Sequence, residues 1–80
     1  MNNTAFEIAL ALRGIHTTRD LSDLVGISRQ TLAPIRRGDR EPTQETAEQI
    51  RNALRLSDKE YTQIFPYQSE ITAVKERWNA

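Results

Sequence analysis

Residues 18–37 read TRDLSDLVGISRQTLAPIRR, and this stretch decides the fold because it predicts two short helices joined by a tight turn. The first helix carries apolar residues spaced as i, i+3 and i+4, which lie on one helical face. These residues are Leu21, Leu24 and Val25. Gly26 follows them, and glycine readily adopts the left-handed conformation that ends a helix.

The second of these helices is predicted to begin after Ser28, a favourable N-cap residue. Leu32 and Ile35 lie three residues apart, so both can pack against the preceding helix. Ile27 is expected to fill the angle between the two helices. The spacing therefore predicts a helix-turn-helix arrangement.

The second helix also carries side chains that donate hydrogen bonds, and such side chains bind base edges and phosphates. They are Arg29, Gln30, Arg36 and Arg37. The net charge of the chain is zero, but the charges are unevenly distributed. Residues 13–40 contain six arginines and three aspartates, which gives them a charge of +3. The rest of the chain contains five basic and eight acidic residues, which gives it a charge of −3. This asymmetry suits a nucleic-acid-facing side. An ordinary mixed-charge surface would look similar, so charge alone leaves both interpretations open.

Composition excludes several other classes of protein. Eighty residues fit one small domain, and the chain has no cysteine and a single histidine, His16, so we expect no disulfide, metal site or cofactor. The sequence has neither a nucleophile–base spacing nor a glycine-rich phosphate loop, so it does not predict an enzyme or a small-molecule ligand. The longest apolar run, residues 8–12, is too short to span a membrane, and the N-terminus lacks the basic region of a signal peptide. We therefore expect a cytoplasmic protein with no membrane partner.

The remaining periodicity predicts an all-α, compact bundle of five to six short helices. A capping box of Thr4 and Glu7 is expected to begin the first helix, which runs to about Arg13. Its inward residues should be Phe6, Ala9 and Leu10, widened by Ile8 and Leu12. Gly14 is expected to end this helix, and Thr17 to cap the next one.

Pro34 is the unusual residue of the third helix, where it would be the sixth helical residue after Ser28. An interior proline lacks the N–H and crowds the carbonyl one turn earlier, at a cost of roughly 3 kcal/mol or more. We expect a helix that is regular over residues 29–33 and distorted beyond. Alternatively, the Pro34 ring has a functional role and contacts a thymine methyl in a DNA groove.

The C-terminal half predicts three further helices. Thr43 is expected to cap a fourth helix over residues 44–54. A capping box of Ser57 and Glu60 is expected to begin a fifth helix, which ends at Pro66. The inward residues of the fourth helix should be Ala47, Ile50, Ala53 and Leu54. Residues 1–66 would form the DNA-binding domain and residues 67–80 a helical extension.

In that extension, Ser69 is expected to cap a helix from Glu70 to about residue 79. Ile71, Val74 and Trp78 are spaced i, i+3 and i+7 and so share one face. Two interpretations stay open: the helix covers the core of its own chain, or it forms a dimer contact, since tryptophan is a favoured interface anchor.

Residues 6–61 resemble the Cro/repressor-type helix-turn-helix family, also called lambda-repressor-like or XRE-type. The matching segments are LSDLVGISRQTLAPIRRG (residues 21–38), DREPT (residues 39–43) and ETAEQIRNALRLSDKE (residues 45–60). The resemblance implies a helical bundle that binds double-stranded operator DNA, usually as a homodimer. The implied function is a sequence-specific transcriptional regulator, such as a Cro-like phage or prophage repressor. A protein–protein interaction module, anti-repressor or antitoxin-like, is the alternative, which zero net charge and Pro34 favour.

The chain departs from the family pattern in three places. Relatives often pair a glutamate near the end of the recognition helix with an arginine in helix 1, whereas here Arg36 takes the first position and Leu10 or Ala11 the second. Thr18 replaces the usual glutamine at the start of helix 2. Pro34 replaces a polar residue that can contact DNA in relatives.

With the third helix in the major groove, its N-terminal end faces the bases. Candidate base contacts are Arg29, Gln30, Thr31, Ala33 and Pro34. Candidate phosphate contacts are Thr17, Thr18, Arg36, Arg37 and Arg40. Candidate dimer contacts are Ile71, Val74 and Trp78. Among these, Arg and Gln suit guanine and adenine edges respectively, whereas phosphate contacts fix the register without carrying sequence information.

Overall fold

The computed structural model describes the backbone of residues 1–79 and the side chains of residues 1–77, and that part of the chain contains six helices and no strand. The helices are α1 (Asn3–Leu12), α2 (Thr18–Val25), α3 (Arg29–Arg37), α4 (Gln44–Leu54), α5 (Asp58–Ile64) and α6 (Pro66–Asn79). The predicted all-α bundle is confirmed. None of the six helices is both long and apolar enough to cross a membrane.

Each of the first five helices begins after a polar side chain that accepts a hydrogen bond from a backbone N–H three residues later. The capping residues are Asn2, Thr17, Ser28, Thr43 and Ser57. Four of the five were predicted, and the Ser57–Glu60 capping box is complete. The predicted Thr4–Glu7 box is wrong, because Asn2 caps α1 two residues earlier and the Glu7 carboxylate instead contacts Arg36.

The core lies between α1, α2, α4 and α5, and α3 packs on its α2 side. Its largest buried side chains are Tyr61, Phe6, Phe65, Leu10, Leu21, Leu32, Ile50 and Ile64. The inward stripe of α1 is confirmed, but its predicted widening is wrong, since Ile8 is 57% and Leu12 76% exposed. Leu24 is likewise exposed, so α2 contacts the core through Leu21 and Val25.

The predicted distortion of the third helix after Ala33 is wrong in its extent, because α3 continues through Pro34 to Arg37. Ile35 is buried on the far side of the proline, and this burial offsets part of the cost of the missing N–H. Gly38 then ends α3 in the left-handed conformation, with φ of 86°. Its N–H donates to the Ile35 carbonyl and the next N–H to the Pro34 carbonyl.

The last helix begins earlier than predicted, at Pro66 rather than Glu70. Proline is favoured in the first turn of a helix because an N–H has no partner there. The predicted cap, Ser69, lies within the first turn, and its hydroxyl contacts that of Thr62 at 3.0 Å. As a result, α6 packs against α4 and α5 as part of the same bundle.

Candidate nucleic-acid interface

The two faces of α3 differ in chemistry. Leu32 and Ile35 are 1% and 2% exposed and face the bundle. With 100° per residue, the opposite face carries Gln30 and Arg37 at its centre and Ala33 beside them. Gln30 and Arg37 are exposed and Ala33 is partly exposed. The arrangement presents an amide and a guanidinium around a small apolar residue, a surface that suits the floor and walls of a major groove.

The angle between α2 and α3 is set by a short hydrogen-bonded turn. Gly26 ends α2 with φ of 79°, and Ser22 Oγ donates to the Ile27 carbonyl at 2.6 Å. From α4, Gln49 Nε2 donates to the Val25 carbonyl at 3.1 Å. The predicted helix-turn-helix is therefore present, with side chains of α2 and α4 holding its turn.

The other three predicted base contacts flank the centre of this face. Arg29 is exposed in the first turn of α3. Thr31 is partly exposed, and its hydroxyl accepts a 3.0 Å hydrogen bond from Ser28 Oγ. Pro34 is also partly exposed, so its ring offers apolar surface beside Gln30. All five predicted base-contact residues are thus on or beside the outward side of one helix.

Arg36 is held by α1 rather than free at the surface. Its Nε and Nη2 atoms each donate to a Glu7 carboxylate oxygen at 2.9 Å, and the pair raises the pKa of the guanidinium. Further bonds reach Thr18 Oγ1 at 3.3 Å and the His16 carbonyl at 3.4 Å. The helix 1 partner expected to be absent is therefore present as Glu7, with the two charges exchanged relative to the family pattern.

The remaining predicted phosphate contacts surround α3. Thr17 caps α2 and Thr18 is its first residue, so both lie at the N-terminus of that helix, where backbone N–H groups lack helical partners. Arg37 is 63% exposed and pairs with the equally exposed Asp39 at 3.0 Å, whereas Arg40 is exposed beyond the end of α3. An exposed pair of this kind contributes little energy and is easily exchanged for another anion.

Asn3 and Glu7 are contacts of the site that periodicity did not reveal. Asn3 Nδ2 donates to the Arg36 carbonyl at 2.9 Å and to the Ile35 carbonyl at 3.3 Å. A Cβ atom at Gly38 would approach the Asn3 side chain to 3.3 Å. Asn3 and Glu7 lie one turn apart on α1, and together they hold the C-terminal end of α3. Their partners lie about thirty residues away, so no local spacing in the sequence could signal the contact.

Two of the three predicted dimer contacts, Ile71 and Val74, line a shallow surface groove along α6. Val74 is 47% exposed and Ile71 is partly buried. Tyr67, which was not predicted, adjoins them and is 69% exposed. The side chain of Trp78 is outside the described residues.

One family model, described as helix-turn-helix and designated HTH_3, matches residues 5–61 of the chain. The matched range begins in α1 and ends in α5, and it includes every described residue of the site around α3 except Asn3. No curated protein and no solved structure shows significant similarity to the chain.

Proposed function

The chain belongs to the HTH_3 helix-turn-helix family of the XRE and Cro type, which implies DNA binding and transcriptional regulation, and from this premise we propose a Cro-like phage or prophage repressor that binds a specific operator as a homodimer. Members of the family are typically not enzymes. In this proposal residues 1–66 bind DNA and residues 67–80 extend the domain toward the second copy.

The polar outward face of α3 carries the proposal. Because Leu32 and Ile35 hold one side of the helix against the bundle, the Gln30 side chain is exposed on the opposite side, where it is free to enter a groove. Gln30 binds an adenine edge through its amide, and Arg29 binds guanine at the same end of the helix. Ala33 and Pro34 supply apolar contacts to thymine methyls, and Thr31 adds a small contact beside them.

Phosphate contacts fix the register of α3 on the duplex. Thr17 and Thr18 lie at the N-terminus of α2, where hydroxyls and free N–H groups favour an anion. Arg37 and Arg40 follow the backbone at the other end of α3. Arg36 is the weakest of these candidates, because Glu7 already neutralises its charge. Its main role is to hold α3 against α1, which keeps the other side chains in register.

Binding-site selection from a random pool of DNA duplexes tests the proposed function. We expect enrichment of a palindromic site whose half-sites are about 34 Å apart, one turn of the duplex. The selected and a scrambled duplex are then compared by gel shift at several salt concentrations. Steep salt dependence on both duplexes, with tighter binding to the selected one, supports the proposal. No retention of duplex DNA even at low salt would overturn it in favour of the protein–protein module.

A further inference from the structure

The polarity of α6 is the reverse of an ordinary surface helix. The side that packs on the bundle is polar: Gln68 is 5% exposed and donates to the Pro42 carbonyl at 2.9 Å. Thr72 Oγ1 accepts a 2.6 Å hydrogen bond from Gln44 Nε2 and lies 3.4 Å from the Tyr61 hydroxyl. A surface helix normally buries its apolar stripe in its own domain, so α6 is held in place by hydrogen bonds instead.

The outward side of α6 is apolar along its centre. Tyr67, Ile71 and Val74 lie within about 60° of one another on the helix circumference at 100° per residue. Tyr67 and Val74 are 69% and 47% exposed, and Ile71 between them is partly exposed. Glu70 and Lys75 flank this stripe, one on each side, and all five side chains line one shallow groove. An exposed apolar stripe with charged borders is the pattern of a helix that packs against another helix.

The spacing of the stripe also specifies the partner. Tyr67, Ile71 and Val74 are four and three residues apart, which assigns them to heptad positions d, a and d. Glu70 then occupies position g, and Lys75 occupies position e of the following heptad. These two positions form the salt bridges between helices that set partner choice and orientation in coiled coils. Their charges are opposite and their separation of five residues matches the g-to-e′ contact of two parallel helices.

We propose that α6 packs in parallel against α6 of a second copy of this chain, with Ile71 and Val74 each meeting its own counterpart. Glu70 of each copy pairs with Lys75 of the other, so one contact forms two salt bridges. An antiparallel pair would place Glu70 beside Glu70 and Lys75 beside Lys75, which repel. The inference rests on the homodimer of the proposed function and gives that dimer an interface and a direction.

The small size of the stripe predicts weak association in the absence of DNA. A stable protein–protein interface buries roughly 1,200–2,000 Å², more than one helical stripe of this length supplies. Two copies bound to adjacent half-sites are held near each other, so the second contact forms at a high effective concentration. Pairing of α6 should therefore appear mainly as cooperativity on the operator, and in free solution at high protein concentration.

Cysteine cross-linking tests the direction of the pair without DNA, because the chain has no cysteine of its own. Val74→Cys should form a disulfide-linked dimer under mild oxidation at high protein concentration, since residue 74 meets itself. Ala73→Cys is the matched control: it is exposed on the same helix but lies about 100° away from the stripe. An equal mixture of Ile71→Cys and Val74→Cys chains should give mainly 71–71 and 74–74 links. A predominance of 71–74 links, or equal rates for Val74→Cys and Ala73→Cys, would overturn the proposal.

A charge exchange tests the partner. Glu70→Lys and Lys75→Glu should each lower the sedimentation-derived dimer fraction several-fold, because each places like charges across the interface. An equal mixture of the two variants should recover dimer as a heterodimer, and unchanged dimer in either single variant would contradict the proposal. Both residues are exposed, so thermal melts should confirm intact folding. Because these measurements use no DNA, loss of cross-linking and loss of operator binding are separate outcomes that judge the interface and the proposed function independently.

Discussion

Helices α3 and α6 form a contrasting pair within one small bundle. Helix α3 is apolar inside and polar outside, with Leu32 buried and Gln30 exposed. Helix α6 is polar inside and apolar outside, with Gln68 buried and Val74 exposed. The outward chemistry of a packed helix indicates what it can bind: donors suit DNA, and an apolar stripe suits another protein. The inward chemistry determines how firmly each helix is held, because apolar burial generally stabilises more than a hydrogen bond exchanged with water.

The largest predicted effect concerns the apolar inner side of α3. Leu32→Ala should lower the free energy of unfolding by about 2–5 kcal/mol, because it removes a fully buried side chain and leaves a cavity. Chemical denaturation measures the loss. Leu12→Ala is the matched control, because Leu12 is 76% exposed and its truncation should change stability by less than about 1 kcal/mol. Equal losses for the two variants would mean that α3 is not held by burial.

A smaller effect is expected on the polar inner side of α6. Gln68→Ala should cost about 1–3 kcal/mol, because the Pro42 carbonyl loses its donor in a buried place. Gln63→Ala removes the same side chain from an exposed position on α5 and should be nearly neutral. Denaturation midpoints compare the two variants. A neutral Gln68→Ala would remove the contrast, since α6 would then be held by something other than its hydrogen bonds.

Low pH should weaken the ion pair between Arg13, at the end of α1, and Glu60 of α5. Arg13 donates from Nη1 and Nη2 to the two Glu60 oxygens at 2.9 Å, and this pair, with the Ser57 N–H, lowers the pKa of Glu60 to about 2. The stabilisation is fully present above the ordinary pKa of 4.5 and is lost as pH falls toward 2. Both side chains are about a quarter exposed, so solvent screens their charges. We therefore expect the pair to contribute about 1–2 kcal/mol to the free energy of unfolding at neutral pH.

The measurement is the stability difference between wild type and Glu60→Gln as a function of pH. The difference should be largest near pH 7 and should shrink between pH 4.5 and 2. A difference that stays constant over this range would show that the Glu60 charge contributes no stability in the folded chain.

The smallest predicted effect on stability belongs to the pair that holds α3 to α1. Glu7 is 47% exposed, so breaking its bonds to Arg36 by Glu7→Gln should cost no more than about 1 kcal/mol. Exchanging the charges with Glu7→Arg and Arg36→Glu together should recover more than half of the summed losses of the single variants. A double-mutant cycle in thermal melts measures this coupling. Simple additivity would mean that the contact does not stabilise the interface between the two helices.

Local patterns in the sequence predicted most of the fold because most helix boundaries here have local causes. Ser28 and Ser57 are N-caps, and Gly26 ends a helix, at the predicted positions. The N-cap Asn2 was missed because Thr4 satisfied the same local rule two residues later. A local rule identifies residues able to cap a helix, whereas packing of the whole bundle selects among them.

The errors at Pro34 and Ile8 arise from contacts between elements that are distant in sequence. Burial of Ile35 keeps α3 helical past the proline, and periodicity alone does not measure that burial. Ile8 is apolar at a position that the fold leaves exposed. For the same reason the Glu7–Arg36 pair, 29 residues apart, could not be predicted from spacing. The outward position of Gln30 could be predicted from spacing, because it follows from the helical period of α3 once Leu32 faces inward.

The most direct test of the central claim, that the outward face of α3 reads DNA sequence, is a titration of Gln30→Ala and Arg40→Ala on selected and scrambled duplexes at several salt concentrations. Gln63→Ala and Lys59→Ala are controls that remove an amide and a cation from exposed positions on α5, outside the site. Gln30→Ala should cost about 1–3 kcal/mol on the selected site and relax preference at one or two positions per half-site, with the salt slope nearly unchanged. Arg40→Ala should weaken binding to both duplexes alike and reduce the magnitude of the salt slope by about one. If Arg40→Ala changes sequence preference and Gln30→Ala does not, the proposed docking of α3 is contradicted.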